Sequence, residues 1–301
     1  MSSVLTLIAA ADGGLRPADL AIAADALRGL GCEPGAPDWL AAERACDIPL
    51  TGGRAEPDAA AATAALRGAL AGAAVDAAVL PVAGRRKRLL VADMDSTIVT
   101  GETLDELADQ AGLKAPIAAI TARAMNGELD FKAALRERVA LLEGLPAAAL
   151  ERTYERVRLT PGAATLVRTM RAGGAYTLLV SGGFRFFTAR VRDLAGFHAD
   201  RANELIVAGG ALTGRVEEPI LDRDAKLRAL LETAAAHGLT PEDALAVGDG
   251  ANDLAMLQAA GLGVAFRAKP IVAAQAQVRI DQPDLTALLY LQGYRREEFV
   301  E

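Results

Sequence analysis

The sequence predicts an α/β protein in two parts: a core on a buried parallel sheet with an inserted helical cap, preceded by a smaller α/β unit. Three observations carry this expectation. LLVADMD, YTLLVSGG and ALAVGDGAND are short apolar runs that each end in polar, glycine-rich sequence. Continuous apolar strands separated by helices belong in a sheet covered on both faces. Residues from about 104 to 158 carry no strand pattern and read as helical throughout, so they interrupt the alternation soon after the first run. The first 80 or so residues alternate separately, in the approximate order βαββαβ.

In chain order, VLTLIAA is the first strand. Pro17 to Leu30 read as a helix, with Leu20, Ile22, Ala23 and Leu27 near helical spacing and Gly31 at its end. Residues 38–50 are weakly strand-like, and Gly52-Gly53 break the pattern. An alanine-rich helix follows Pro57, then the strand VDAAVLPV. The basic stretch GRRKR at 84–88 reads as a solvated linker, which places a boundary between a unit at 1–84 and a core at 85–301. Beyond the cap, 161–172 and 224–236 are connecting helices, and GLGVAF is a further short strand. ELIVAGGALTGRVEEPI suggests an antiparallel hairpin turning near Gly209-Gly210. Thr240-Pro241 has the chemistry of a helix start, with Thr as cap and Pro in the first turn.

Composition narrows the function. Of 301 residues, 52% are hydrophobic and 24% charged, which suits a packed core. The formal charge of -7 argues against a nucleic-acid partner and, at first sight, against an anionic substrate. Cys32 and Cys46, the only cysteines, exclude a disulfide framework and a cysteine-rich metal site, and two reduced thiols are expected. No stretch approaches the roughly 20 apolar residues a membrane span needs. The opening MSSVLTLIAAADGG lacks a basic leader, so a cytoplasmic location is expected.

The polar residues gather at the ends of the three apolar runs, where open parallel sheets place their ligands. Asp93 and Asp95 flank Met94, so an extended backbone would turn both carboxylates the same way. Two like charges so close call for a cation or a proton. Asp249, at another strand end, adds a third carboxylate. Three oxygen donors without histidine or cysteine suit a hard ion such as Mg²⁺, which keeps positions open for water and phosphate. Ser181-Gly182-Gly183 offers a hydroxyl and closely approachable amides, and Lys226, near a helix start, a mobile cation. Singly, each of these residues has an ordinary structural reading; together they make a phosphate site.

The same residues carry a family resemblance. Asp93-Met94-Asp95-Ser96-Thr97 resembles the DxDxT motif of the haloacid dehalogenase-like (HAD) hydrolases. Ser181, Lys226 and GDGAND at 248–253 resemble that family's later motifs, in order. DMDSTIVTGETLDELAD, MNGELDFKAALRERVALLEG, LTGRVEEPI and DLTALLYLQGY extend the likeness to its phosphoserine phosphatase branch, over roughly residues 88–294. The resemblance implies a Rossmann-like HAD core with a helical cap. It implies Mg²⁺-dependent hydrolysis of O-phospho-L-serine through an aspartyl-phosphate, the last step of serine biosynthesis. Asp93 would be the nucleophile and Asp95 the acid and base. One Mg²⁺ would be held by the Asp93 side chain, the Asp95 carbonyl and the Asp249 side chain, supported by Asn252 and Asp253. Ser181, the Gly182 amide and Lys226 would hold the phosphoryl oxygens, with Asn252 beside the substrate. Glu102 would bind the substrate ammonium, Arg138 its carboxylate, and Met125 and Phe131 would close an apolar wall.

More faintly, the first unit resembles the ACT-type module. Amino-acid binding, dimerisation and a degenerate appendage stay open for it, and a structural or homodimer-forming role is favoured over feedback by serine. Three rival functions differ in their tests: transfer of the phosphoryl group to an alcohol such as homoserine, a relaxed small-metabolite phosphatase, and a non-catalytic binding protein. The last requires loss of the nucleophile or metal ligands, and all are present. The net charge also reads differently once three of the carboxylates serve to hold a dication.

Overall fold

The computed structural model describes residues 2–10, 12–51, 58–125 and 129–301. The break expected at Gly52-Gly53 and the residue Pro57 lie outside the described residues. The first unit runs β1 (Ser3–Ala9), α1 (Pro17–Gly29), β2 (Glu33–Pro34), β3 (Asp38–Ala41), β4 (Ala45–Thr51), α2 (Ala59–Ala69) and β5 (Val75–Pro81). Its antiparallel sheet has the order β2-β4-β1-β5, and β3 pairs with β4 as a hairpin.

Alternation along β1 sorts its side chains between two different cores. Leu5, Leu7 and Ala9 pack with Ala23, Leu27 and Leu66 of the two helices. Ile8 faces the other way and joins Leu40, Ala45 and Ala78 in the core of the larger unit. Both faces of the sheet are therefore buried, which explains the unbroken apolar run. In α1 the inward stripe is Asp19, Ala23 and Leu27, one turn apart, while Ile22 is exposed.

The second unit continues with β6 (Leu89–Ala92), α3 (Thr103–Gln110), α4 (Lys114–Met125), α5 (Phe131–Ala140) and α6 (Ala148–Tyr154). Next come α7 (Ala163–Ala172), β7 (Tyr176–Phe184), α8 (Arg185–Ala195), β8 (Ala199–Asn203), β9 (Leu205–Ala208) and β10 (Ala211–Val216). The chain ends through α9 (Arg223–Ala236), β11 (Ala244–Gly248), α10 (Leu254–Ala259), β12 (Leu262–Phe266), α11 (Pro270–Ala273), β13 (Val278–Ile280) and α12 (Ala287–Leu291). The six-stranded sheet has the order β13-β12-β11-β6-β7-β8 with every pair parallel. On β6, Leu90 and Ala92 enter one core and Leu89 and Val91 the other. Helices α3–α6 form the cap, and the β9–β10 hairpin supports it. Gly144 donates its N–H to Leu212 O at 2.9 Å, and Leu212 returns one to Leu145 O at 2.8 Å. Among the described residues, no helix is long and apolar enough to cross a membrane.

Three expectations need correction. Thr240-Pro241 opens only a single 3₁₀ turn, Pro241–Asp243. Its capping box forms, yet Ala244 already has the extended backbone of β11, and pairing with β6 ends the turn. The basic stretch is not a solvated linker throughout. The Arg85 side chain is only 10% exposed and is clamped between the units. It donates to Asp47 Oδ2 at 2.6 Å and Thr6 Oγ1 at 2.9 Å on one side, and to Leu291 O at 3.0 Å and Tyr290 O at 3.1 Å on the other. Among the described residues the segment 104–158 is helical in four pieces, and the break after α5 lets Pro146 pair with Ala211. Cys32 and Cys46 are free, and both are buried.

Candidate active site

Three adjacent strands, β7, β6 and β11, end at one edge of the sheet and deliver the polar residues there. Asp93 follows β6 directly, its N–H bonded to Val247 O at 3.0 Å. Asp93 and Asp95 both keep extended backbone, while Met94 between them is fully buried. Ser96 then takes the left-handed conformation (φ 55°) and turns the chain toward the cap. Its hydroxyl donates to Glu102 Oε1 at 2.8 Å.

Asp95 is held on both oxygens. Oδ1 accepts the first N–H of α3, from Thr103, at 2.8 Å. Oδ2 accepts from Ser181 Oγ at 3.1 Å. Burial, reinforced by the charge of Glu102, nonetheless pushes its pKa up to about 6, against the pull of the Thr103 amide. A carboxyl poised there can give and retake a proton near neutrality.

Beneath Asp93 lies a buried triad. Lys226 Nζ donates to Asp93 Oδ1 at 2.5 Å and to Asp253 Oδ1 at 2.6 Å, and the three side chains are 3%, 8% and 0% exposed. Asp253 Oδ2 also accepts the Gly250 N–H at 2.9 Å. Gly248 is required here: a Cβ on it would lie 2.4 Å from the Asp253 carboxyl carbon. Burial lowers the pKa of an ammonium, but Asp253 and Asp93 outweigh it and hold Lys226 above the ordinary lysine value. Burial, then repulsion from Asp253, pushes Asp93 well above the ordinary carboxylate range despite Lys226. Burial likewise raises Asp249 to about 6, opposed by Lys269 and aided by Asp253.

Asp93, Asp249 and Asp253 each offer one oxygen within a 4.8 Å cluster. Among the described residues Lys226 is the only cation buried with them, and Lys269 approaches Asp249 only from the exposed rim, at 3.7 Å, so the cluster keeps an excess of negative charge. A hard dication fits that donor set and charge, and it would reverse the upward push on Asp93 and Asp249.

The cleft above has a volume of about 140 Å³ and opens under the cap. Asp93, Asp95, Ser181, Gly182, Asp249 and Asn252 line its floor. Glu102, Phe131 and Arg138 line the cap side. Phe131 closes on the Ser181-Gly182 turn so tightly that a Cβ on Gly182 would lie 3.2 Å from its ring. The half-buried Arg138 guanidinium is lowered by burial, opposed by Asp105 and Glu102. Its Nε donates only weakly, to Ala134 O at 3.3 Å. Lys226 and Asp253 sit below the floor rather than on it. Met125 ends α4, and its side chain lies outside the described atoms.

Sequence reasoning missed several contributors. Thr103, Leu104, Leu135 and Lys269 also line the cleft. Buried Asn203, at the end of β8, donates to Gly182 O at 2.9 Å and accepts the Leu221 N–H at 2.7 Å, so it fixes the glycine turn. Nothing local marks Asn203, since β8 is polar and carries no apolar run. Lys269 follows an apolar strand, as Asp93 and Asp249 do, which was the available signal.

The haloacid dehalogenase-like hydrolase family model matches residues 90–258. The chain is 47% identical over 204 residues to a phosphoserine phosphatase of Archaeoglobus fulgidus, covering 68% of this chain and 59% of that one. It is 47% identical over 214 residues to that of Streptomyces coelicolor, covering 71% and 52%. With that of Polaromonas sp. it shares 50% identity over 210 residues, covering 68% and 89%. The first two matches thus span little more than half of those relatives' lengths. A crystal structure of a probable phosphoserine phosphatase from Vibrio cholerae superposes with a TM-score of 0.79 at 30% identity, over 99% of this chain and 88% of that one. The chain belongs to the haloacid dehalogenase-like hydrolases and is closely related to the phosphoserine phosphatases.

Proposed function

We propose that the protein hydrolyses O-phospho-L-serine to L-serine and phosphate. One observation carries the reading: a single small cleft sets the Asp93–Asp95 pair against a carboxylate and a guanidinium, Glu102 and Arg138. The first pair suits phosphoryl transfer and the second a small zwitterion.

In this reading Lys226 keeps Asp93 ionised, as a bound dication would also do, and the Asp93 oxygen not bound to Lys226 attacks phosphorus. The phosphorus–serine oxygen bond breaks, and Asp95 gives that oxygen its proton. Asp95 then takes a proton from water, whose oxygen attacks the aspartyl-phosphate and releases phosphate. The Asp93 and Asp249 side chains, with the Asp95 carbonyl, are assigned to Mg²⁺. Both side-chain oxygens of Asp95 and of Asp253 already accept hydrogen bonds, which supports leaving them outside the ligand set. When bound, Mg²⁺ supplies charge neutralisation at the phosphoryl oxygens. Asn252 and Asp253 orient that shell. The Ser181 hydroxyl and the Gly182 amide receive phosphoryl oxygens, with Lys226 as the cation behind them. Glu102 takes the ammonium, Arg138 the carboxylate, and Phe131 closes the wall, to which Met125 is assigned on the family resemblance alone.

The first unit is assigned as an ACT-like module over 1–84, joined near residue 85 to the catalytic core. Its antiparallel sheet with two helices on one face supports that reading. A homodimer through this unit and a cytoplasmic location complete the proposal.

Phosphate release from a panel of phosphorylated metabolites, with and without Mg²⁺, tests the function. Turnover concentrated on O-phospho-L-serine and lost on chelation is expected. Preference for a sugar phosphate, or metal-independent turnover, overturns it.

A further inference from the structure

One cation of the cleft has no part in the scheme above. Lys269 sits at the rim, where its backbone is fixed and its side chain is not. Its N–H donates to Asp249 O at 3.1 Å, and Pro270 follows as the first residue of α11. Two residues earlier the chain turns through left-handed Arg267 (φ 44°), whose N–H donates to Ile280 O at 2.8 Å. The loop therefore ties Lys269 to the floor of the site. Its side chain is 53% exposed, and Nζ stands 3.7 Å from Asp249 Oδ2, beyond hydrogen-bond distance. The other cations differ. Lys226 is consumed by two carboxylates below the floor. Arg138 stands across the cleft on the cap. A phosphate monoester must bring its charge past Asp93, Asp95, Glu102 and Asp249, and Lys269 carries the ammonium with free donors on that path.

We propose that Lys269 is a substrate-binding residue that receives the phosphate group at the mouth of the cleft, on the side opposite the cap. The inference builds on the phosphatase reading and specifies how the anion enters. A flexible ammonium at a half-exposed rim attracts charge without constraining the leaving alcohol. Its effect therefore falls on affinity for the phosphate group, whatever that group is attached to, and weakens with salt.

The test compares Lys269→Gln and Lys269→Arg with the wild type, using O-phospho-L-serine, p-nitrophenyl phosphate and calorimetric binding of inorganic phosphate to the Mg²⁺-loaded protein. At low ionic strength, Lys269→Gln should lower kcat/KM about fivefold on both substrates, chiefly through KM, and weaken phosphate binding by a similar factor. Lys269→Arg should stay within about twofold, and the deficit of Lys269→Gln should shrink in high salt. Unchanged phosphate affinity in Lys269→Gln overturns the proposal. So does a raised Mg²⁺ requirement with unchanged phosphate affinity, which would make Lys269 a support for Asp249 instead. Because p-nitrophenyl phosphate and inorganic phosphate carry no serine, a failure of the serine assignment leaves this test intact and separately readable.

Discussion

Replacing Lys226 by methionine keeps most of the aliphatic stem, shortens the side chain by one atom and removes the charge that two buried carboxylates share. In the native protein Nζ lies 2.5 Å from Asp93 and 2.6 Å from Asp253, and all three side chains are almost fully excluded from water. Breaking a buried ion pair from one side costs about 3–5 kcal/mol, because the remaining charge keeps its desolvation penalty and loses its partner. Asp253 retains the Gly250 amide, whereas the Asp93 side chain has no other hydrogen bond among the described residues, so Asp93 bears most of the loss. Urea unfolding of the Mg²⁺-free protein should report a decrease of about 3–5 kcal/mol at pH 8. The decrease should be smaller at pH 5, where Asp93 escapes the penalty by taking a proton. Turnover should fall at least about a hundredfold, since Asp93, the proposed nucleophile, then sits protonated or misplaced. A variant that keeps both its turnover and its stability within about 1 kcal/mol of wild type at pH 8 would refute the buried-triad argument.

Other outcomes follow from the same geometry. Asp95 and Asp249 have folded pKa values of about 6, above their unfolded ones, so the metal-free protein binds more protons folded than unfolded. Their contribution is therefore fully present below the unfolded value and lost as pH rises toward 6. Thermal melts without metal should show these two groups eroding stability over that window, by up to about 3 kcal/mol each, and Mg²⁺ should raise Tm more at pH 7 than at pH 5. Arg138→Ala should raise KM for O-phospho-L-serine far more than for phosphoethanolamine, which lacks the carboxylate; equal losses in steady-state assays would count against its role. Arg85→Ala removes the charge that pairs Asp47 in the interface between the units and leaves it the Thr6 hydroxyl at 2.8 Å. It should cost about 3 kcal/mol in urea unfolding, with the first unit melting ahead of the core by circular dichroism.

The sequence alone exposed the three strands that carry the site. Their apolar runs are long enough to be buried on both faces and end in residues no core would keep. Asp93, Asp95 and Asp249 were legible for that reason, and the order of Ser181 and Lys226 between them lent those two residues meaning. Strands β8 and β13 were not legible: the first is polar and the second has three residues, so only pairing with a neighbour defines them. The helix expected after Thr240 failed because parallel pairing with β6 outweighed a correct local cap.

Residue types, their spacing along the chain and the periodicity of burial are local properties, and from them the sequence by itself determined the fold class, the cap's position and the carboxylates of the site. What only the tertiary structure decided is how groups far apart in the chain share charge and water. It placed Lys226 below the floor against Asp93 and Asp253, turned a basic stretch into the Arg85 clamp, and brought Lys269 to the rim. Desolvation and pairing depend on which surfaces meet, and no local pattern of residues records that.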